Sequence, residues 1–400
     1  MALLSLKKKT NTAPAVAPVE EEKIQYLASP FDELGNTRLL VQFDDTVPVP
    51  TSTQTPQAQP LKLVDSDMLI GVVLQETASI TFSQPAGAAA VTWADPDAPY
   101  SHLANCLFRV GGTVPLVDVS GRDLRLWALE AYPDMQDDTT YAPLPGANTG
   151  TSTVTTTYTY QILYWVPVAA LLDWPMGMLL LANKGVTATI QTTWAPWASL
   201  MNLGSGSTAT TITINSDTVQ AYGVRQLYPA DPAAVPADLL MFSHTLIAVK
   251  KPLSASTARI DFADSITGDL MRLGVVIENA SGLRDVQNAL GLTKVRLLTN
   301  GKNVDIDVTP SVSTFLRNIR ARRLAGANLV NVEEGIATYG TDGAIWMGLD
   351  VGGGRNWLPS SKLSAARLEL EFASAPPSGS QAVLLLEQLQ QLVLTTGQAG

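Results

Sequence analysis

The stretch YQILYWVPVAALL, residues 160–172, puts eleven apolar side chains into thirteen positions, with Pro167 among them. A membrane-crossing helix needs about twenty apolar residues, and this run is flanked by TSTVTTTYT and by Asp173-Trp174-Pro175. A buried helix fails on Pro167, whose ring removes a backbone donor and pushes Val166 out of the α region. Tyr, Ile, Trp and Val suit a pleated, half-buried surface. The segment therefore reads as a buried strand that ends or bulges at Pro167.

The same pattern recurs along the chain. LKLVDSDMLIGVVLQETASITFS (61–83) reads as one long or two short strands, followed by LANCLFRVGG (103–112) and DLRLWALEAY (123–132), also strand-like. A polar stretch over 134–157 reads as an exposed loop. MLLLANKG, TATIQTTWAPW, TITI and VQAYGVRQLY continue the series, and PADPAAVPAD (229–238) reads as a linker. Beyond it come LLMFSHTLIAV (239–249), LMRLGVVIEN (270–279) and a hairpin over 294–308. Asn300-Gly301 supplies the positive φ angles of a two-residue turn, with Val295 and Leu297 on one arm and Val304, Ile306 and Val308 alternating on the other. One helix is predicted: Thr309 caps it, Pro310 sits in its first turn, Val312, Phe315, Leu316 and Ile319 share a face, and Gly326 closes it. The closing QAVLLLEQLQQLVL (381–394) fits helix or strand by periodicity, and strand is preferred.

Only 16% of the 400 residues are charged, against 46% hydrophobic. That balance, with abundant Thr, Ser, Gly and Pro, suits many short strands joined by turns, so the fold class is all-β with a few short helices. A repeat is visible within it. TATIQTTWAP and AARLELEFAS align Ala188 with Ala366, Ile190 with Leu368 and Trp194 with Phe372, 178 residues apart. Ile70-Gly71-Val72-Val73 echoes Leu273-Gly274-Val275-Val276 at a spacing of 203. Each half has room for one β unit, giving a flexible arm over 1–30, a first unit over 31–228, the linker 229–238, a second unit over 239–395 and a tail over 396–400.

Chemistry is short of parts. His102 and His244 are the only histidines and stand far apart, so they read as ordinary strand residues, and no Ser/His/Asp or Cys/His arrangement can be argued. Cys106 is single, which excludes an intrachain disulfide, and it reads as a small buried apolar residue. Asp350-Val-Gly-Gly-Gly-Arg355 lacks the lysine of a phosphate loop. Asp95 and Asp97, with Asp134, Asp137 and Asp138, read as exposed acidic turns or as oxygen ligands for calcium. No catalytic, cofactor-binding or metal-ligating residue is assigned, and the chain is expected not to be an enzyme.

A net charge of −10 argues against broad phosphate-backbone binding and any sequence-specific nucleic-acid partner. Basic residues cluster in two places: Lys7, Lys8 and Lys9, and Arg317, Arg320, Arg322 and Arg323. The lysines lie on a Pro/Ala-rich arm that reads as a solvated tail or as an arm docking on a neighbour or on lipid head groups. The arginines pair with carboxylates of the same or a neighbouring subunit, or meet lipid head groups or packaged nucleic acid. The start MALLSLKKKT reverses the order of a secretory signal, which predicts cytoplasmic synthesis.

YWVPVAALLDWPMGMLLLANKGVTATIQTTWA resembles the first half of the double jelly-roll major capsid protein of tailless, membrane-containing icosahedral phages, the tectivirus type. VQAYGVRQLYPADPAAVPADLLMFSHTLI is similar to the crossover between the two rolls, and TFLRNIRARRLAGANLVNVEEG to the helix and arginine cluster of the second. The resemblance implies two tandem eight-stranded jelly rolls per chain and a homotrimer tiling an icosahedral shell. It also implies neighbouring trimers, vertex or penton and minor capsid proteins as partners, together with internal membrane lipids. By the same resemblance the protein belongs in the virion and is assembled in the host bacterial cytoplasm. Two other readings fit the composition: a spike or minor capsid jelly roll, and a glycan-binding adhesive β-sandwich using the loop at 134–157.

Overall fold

The computed structural model describes residues 39–49, 58–111, 114–131, 144–170, 176–181, 187–226, 242–285, 291–299, 303–309, 344–348, 358–359 and 365–391. The first half forms β1 (Leu39–Pro48), β2 (Ala58–Lys62), β3 (Met68–Gln84), β4 (Thr92–Trp93), β5 (Leu103–Val110), β6 (Val114–Val119), helix α1 (Gly121–Ala131), β7 (Val154–Pro167), β8 (Leu179–Leu180), β9 (Ala188–Trp194), β10 (Met201–Asn202) and β11 (Thr211–Gln226). The second half forms β12 (Phe242–Pro252), β13 (Thr257–Asp261), β14 (Asp269–Glu278), β15 (Leu292–Thr299), β16 (Asn303–Val308), β17 (Ala344–Gly348), β18 (Arg367–Phe372) and β19 (Gln381–Gln391).

In the first half β1-β11-β3-β7 form one sheet and β2-β9-β5-β6 the other, with β8 added beside β3 and β4 paired to β10. The second half repeats this as β12-β19-β14-β17 and β13-β18-β15-β16. Numbered within each half, and leaving out the three short strands of the first, both orders read 1-8-3-6 and 2-7-4-5. That is the strand order of a jelly roll, present twice. β9 and β18 are the seventh strand of their rolls, and β3 and β14 the third. Both sequence echoes thus fall on equivalent strands.

The apolar alternation explains the packing. On β3, Leu74, Ala78, Ile80 and Phe82 point inward and meet Ile190 of β9 and Phe108 of β5 in the first core. Ile260, Val295, Leu297, Leu368 and Leu370 do the same in the second. β14 and β19 are buried on both faces, because their sheet runs on into the first roll through a parallel pairing of β6 with β12. Val275, Leu384 and Leu386 face the second core, while their neighbours Val276, Val383 and Leu385 face the first. A strand covered on both sides must be apolar at nearly every position. This accounts for LMRLGVVIE and VLLLEQL, and 381–391 is strand.

β7 ends at Pro167, as its sequence predicts, on a sheet edge where the missing donor costs nothing. Residues 61–83 divide between β2 and β3, and TITI and VQAYGVRQ are one strand, β11, with a bulge between Ile214 and Ser216. Residues 123–131 of the segment read as a strand are helix instead. Ser120 Oγ donates to Asp123 Oδ2 at 2.7 Å, and the Asp123 amide donates back to Ser120 Oγ at 3.2 Å, which caps the first turn. Leu124, Trp127 and Ala128 then share a buried face. The 294–308 hairpin forms, but Thr299 pairs with Asn303, leaving three residues between the strands where two were expected. The helix predicted from Thr309 to Gly326 lies outside the described residues beyond Thr309. Among the described residues, no helix is long and apolar enough to cross a membrane.

Candidate functional site

Three features connect the fold to a function: the seam between the rolls, a buried polar cluster inside the first roll, and the free strand edges.

The seam is built on β6 and β12, which pair in parallel at Val117 with Leu246 and at Asp118 with Ile247. Beside it, α1 aims Arg122 at β14, where Nη2 donates to Glu278 Oε1 at 2.7 Å. Lys250 of β12 reaches the same carboxylate at 3.3 Å. A second bridge joins Arg284 Nη2 to Asp97 Oδ1 at 2.8 Å. Arg122, Glu278, Arg284 and Asp97 are all buried. Burial opposes the charge on Arg122, but Asp123, Glu278 and Asp97 outweigh it and hold its pKa above the ordinary value. Buried pairs of this kind specify geometry more than they add stability. Met68, Ile70, Met176 and Met178 of the first roll fill the remaining space against Met271 and Leu389 of the second. Gly177, at φ +85°, lets that loop approach the His244 backbone, where a Cβ would stand 2.9 Å from the amide nitrogen.

Beneath the seam, Glu387 of β19 accepts from Arg272 at 2.7 Å and pairs with His244 Nε2 at 3.1 Å. Burial would raise the Glu387 pKa, yet Arg272 and then His244 prevail and hold it down at about 2.

In the first roll, Glu76 of β3 and Asp217 of β11 lie on the same inward face, because Val219 pairs with Glu76 and Asp217 stands two residues away. His102 closes the group from the opposite sheet, in a 3-10 turn that leads into β5. Its Nδ1 lies 2.6 Å from Glu76 Oε1, its ring stacks on Trp197 at 4.1 Å, and Trp194 stands 5.2 Å away. Tyr164 donates to Glu76 Oε2 at 2.9 Å and Trp197 Nε1 to Asp217 Oδ2 at 2.8 Å. Burial, and then the Glu76 carboxylate, push Asp217 up to about 8, although Trp197 and the Thr218 amide counteract them. Burial and Glu76 likewise raise Tyr164.

Among the described residues, β1 pairs only with β11 and β16 only with β15. β1 is unusually apolar for an edge: Leu40, Val41 and Phe43 are 37%, 60% and 49% exposed. Such an edge offers unpaired backbone groups together with apolar surface to another chain.

Several residues singled out by sequence lie elsewhere. Lys7, Lys8 and Lys9, Arg317, Arg320, Arg322 and Arg323, Asp134, Asp137 and Asp138, and the run 350–355 fall outside the described residues. Asp97 is not an exposed turn, being consumed by Arg284, and Asp95 Oδ1 accepts from the Asp97 amide. Cys106 is buried and free, and burial raises its thiol to about 12. His102 is not a strand residue, whereas His244 is, on β12. Both sit in buried ionisable clusters that the sequence alone did not reveal, since their partners are 26 and 143 positions away.

No protein-family model matches the chain, and no curated protein matches it in sequence. Solved structures do match in fold. The major capsid protein of Sulfolobus turreted icosahedral virus superposes with a TM-score of 0.59 at 14% identity, covering 89% of this chain and 96% of that one. The PBCV-1 virus capsid matches at 0.55 and 10% identity, over 88% and 94% of the two chains. The Faustovirus major capsid protein matches at 0.51 and 9%, over 89% and 91%. This chain therefore has the double jelly-roll fold of viral major capsid proteins.

Proposed function

We propose that this protein is a major capsid subunit, a structural coat protein whose homotrimers present six jelly rolls in a pseudo-hexagonal ring and tile an icosahedral shell. The observation that carries this reading is the seam. There the fifth strand of one roll, β6, meets the first strand of the next, β12, a head-to-tail contact between unlike edges. Contacts of that kind repeat until a ring closes. Applied again, the same step brings β16 of one copy to β1 of another, and β1 carries the exposed Leu40, Val41 and Phe43. Three copies of a two-roll chain close the ring with six equivalent steps.

The same proposal divides the chain into an arm over 1–30, rolls over 31–228 and 239–395, a linker over 229–238 and a tail over 396–400. It makes a bacterial virus with an internal membrane the home of the protein. Lys7, Lys8 and Lys9 with Arg317, Arg320, Arg322 and Arg323 then contact lipid or neighbouring subunits, and vertex and minor capsid proteins complete the shell. The fold has been solved in viruses of other hosts, so it supports the coat role independently of the host. No catalytic step is assigned.

Mass measurement with negative-stain imaging of the purified chain tests the reading. A particle of three chains with a hexagonal outline is expected, and a stable monomer at high concentration would overturn it.

A further inference from the structure

We propose that Glu76, His102 and Asp217 form a site for one divalent transition-metal ion of the zinc class, a structural clamp between the two sheets of the first roll. One ligand atom from each residue lies within 4.8 Å of the other two, and all three residues are buried. One imidazole and two carboxylates are a donor set that such ions accept.

Two features point to an ion rather than a purely structural polar cluster. First, each carboxylate has one oxygen held by an outer donor: Tyr164 holds Glu76 Oε2, and Trp197 holds Asp217 Oδ2. Outer hydrogen bonds of this kind orient metal ligands. The remaining oxygens are Glu76 Oε1, which faces His102, and Asp217 Oδ1, which has no hydrogen-bond partner although Asp217 is only 4% exposed. A buried carboxylate oxygen without a partner is costly. Second, the three groups come from both sides of the roll, Glu76 and Asp217 from one sheet and His102 from the turn before β5, so their ligand atoms converge within one buried site. On binding, the ion takes the place of the direct contact between His102 Nδ1 and Glu76 Oε1. Their contact atoms then move apart from 2.6 Å to roughly 3.4 Å, the separation of two ligands each about 2.1 Å from a tetrahedral ion.

The ion links β3 and β11 to the turn before β5, and so ties one sheet to the other. This inference is independent of the coat-protein reading, since it concerns the interior of one roll.

The test uses the full chain, stripped with a chelator and titrated with cobalt(II) as a visible probe. One cobalt per chain is expected, with a ligand-field absorption band, quenched tryptophan emission because Trp197 stacks on His102, and a raised Tm. Asp217→Asn keeps the size of the side chain and should weaken cobalt uptake by at least about 100-fold. Asp261→Asn, on the surface, should not. Failure of the folded wild-type chain to take up stoichiometric cobalt overturns the proposal, whatever the variants do. So does equal uptake by Asp217→Asn and His102→Gln.

Discussion

Arg122 of α1 donates to Glu278 of β14 at 2.7 Å across 156 residues of chain, and this contact ties the first jelly roll to the second. Both groups are buried, so the pair is worth more as a register mark than as a source of stability. Removing one partner leaves the other under-compensated, since Glu278 then keeps only Lys250 at 3.3 Å and Arg122 keeps only Asp123 at 3.1 Å. Arg122→Met should cost about 3 kcal/mol in urea unfolding, and Arg122→Met with Glu278→Leu should recover most of that loss. Equal losses in the single and double variants would show that the pair does not set the seam.

Glu387 makes an acid-sensitive point beneath the seam. Its pKa is about 2 when folded, against an ordinary 4.5. A carboxyl with a depressed pKa contributes stability that is fully present above about pH 4.5 and is lost as pH falls towards 2. The size of that contribution is about 3 kcal/mol. The stability gap between wild type and Glu387→Gln, measured by denaturant titration at several pH values, should therefore shrink as pH falls from 4.5 to 2. A gap that stays constant over this window would mean that Arg272 and His244 do not hold the charge.

Gly71 packs against the Trp165 indole, where a Cβ would clash with Cη2 and Cζ2. Gly71→Ala should displace Trp165 and cost about 1–3 kcal/mol as an overpacked site. A shift in near-UV circular dichroism should accompany the loss of Tm. The glycine of Ile70-Gly71-Val72-Val73 and the tryptophan of the Trp-Val-Pro motif are thus two halves of one packing contact.

Val41→Lys with Phe43→Lys changes an exposed edge and leaves the core untouched. Folding stability should move by no more than about 1 kcal/mol, while the proposed trimer should give way to a single chain in mass measurement. A trimer that persists in the double variant would place the lateral contact elsewhere.

Much of the architecture was legible in the residues. Alternating apolar positions in TATIQTTW and RLELEF, the proline that ends β7 and the two spaced echoes all report local geometry, which the chain carries wherever it goes. The helix at 121–131 was legible too, in Ser120 and Asp123 three apart ahead of Leu124, Trp127 and Ala128, but its apolar density imitated a strand. What the residues could not specify was which strands meet. Glu76, His102 and Asp217 converge only because β11 pairs with β3 in one register and the opposite sheet closes over them. Arg122 finds Glu278 only because β12 docks on β6. Periodicity is a property of neighbours in sequence, whereas a charge buried against a partner 156 residues away depends on sheet pairing, and that was decided by the tertiary fold alone.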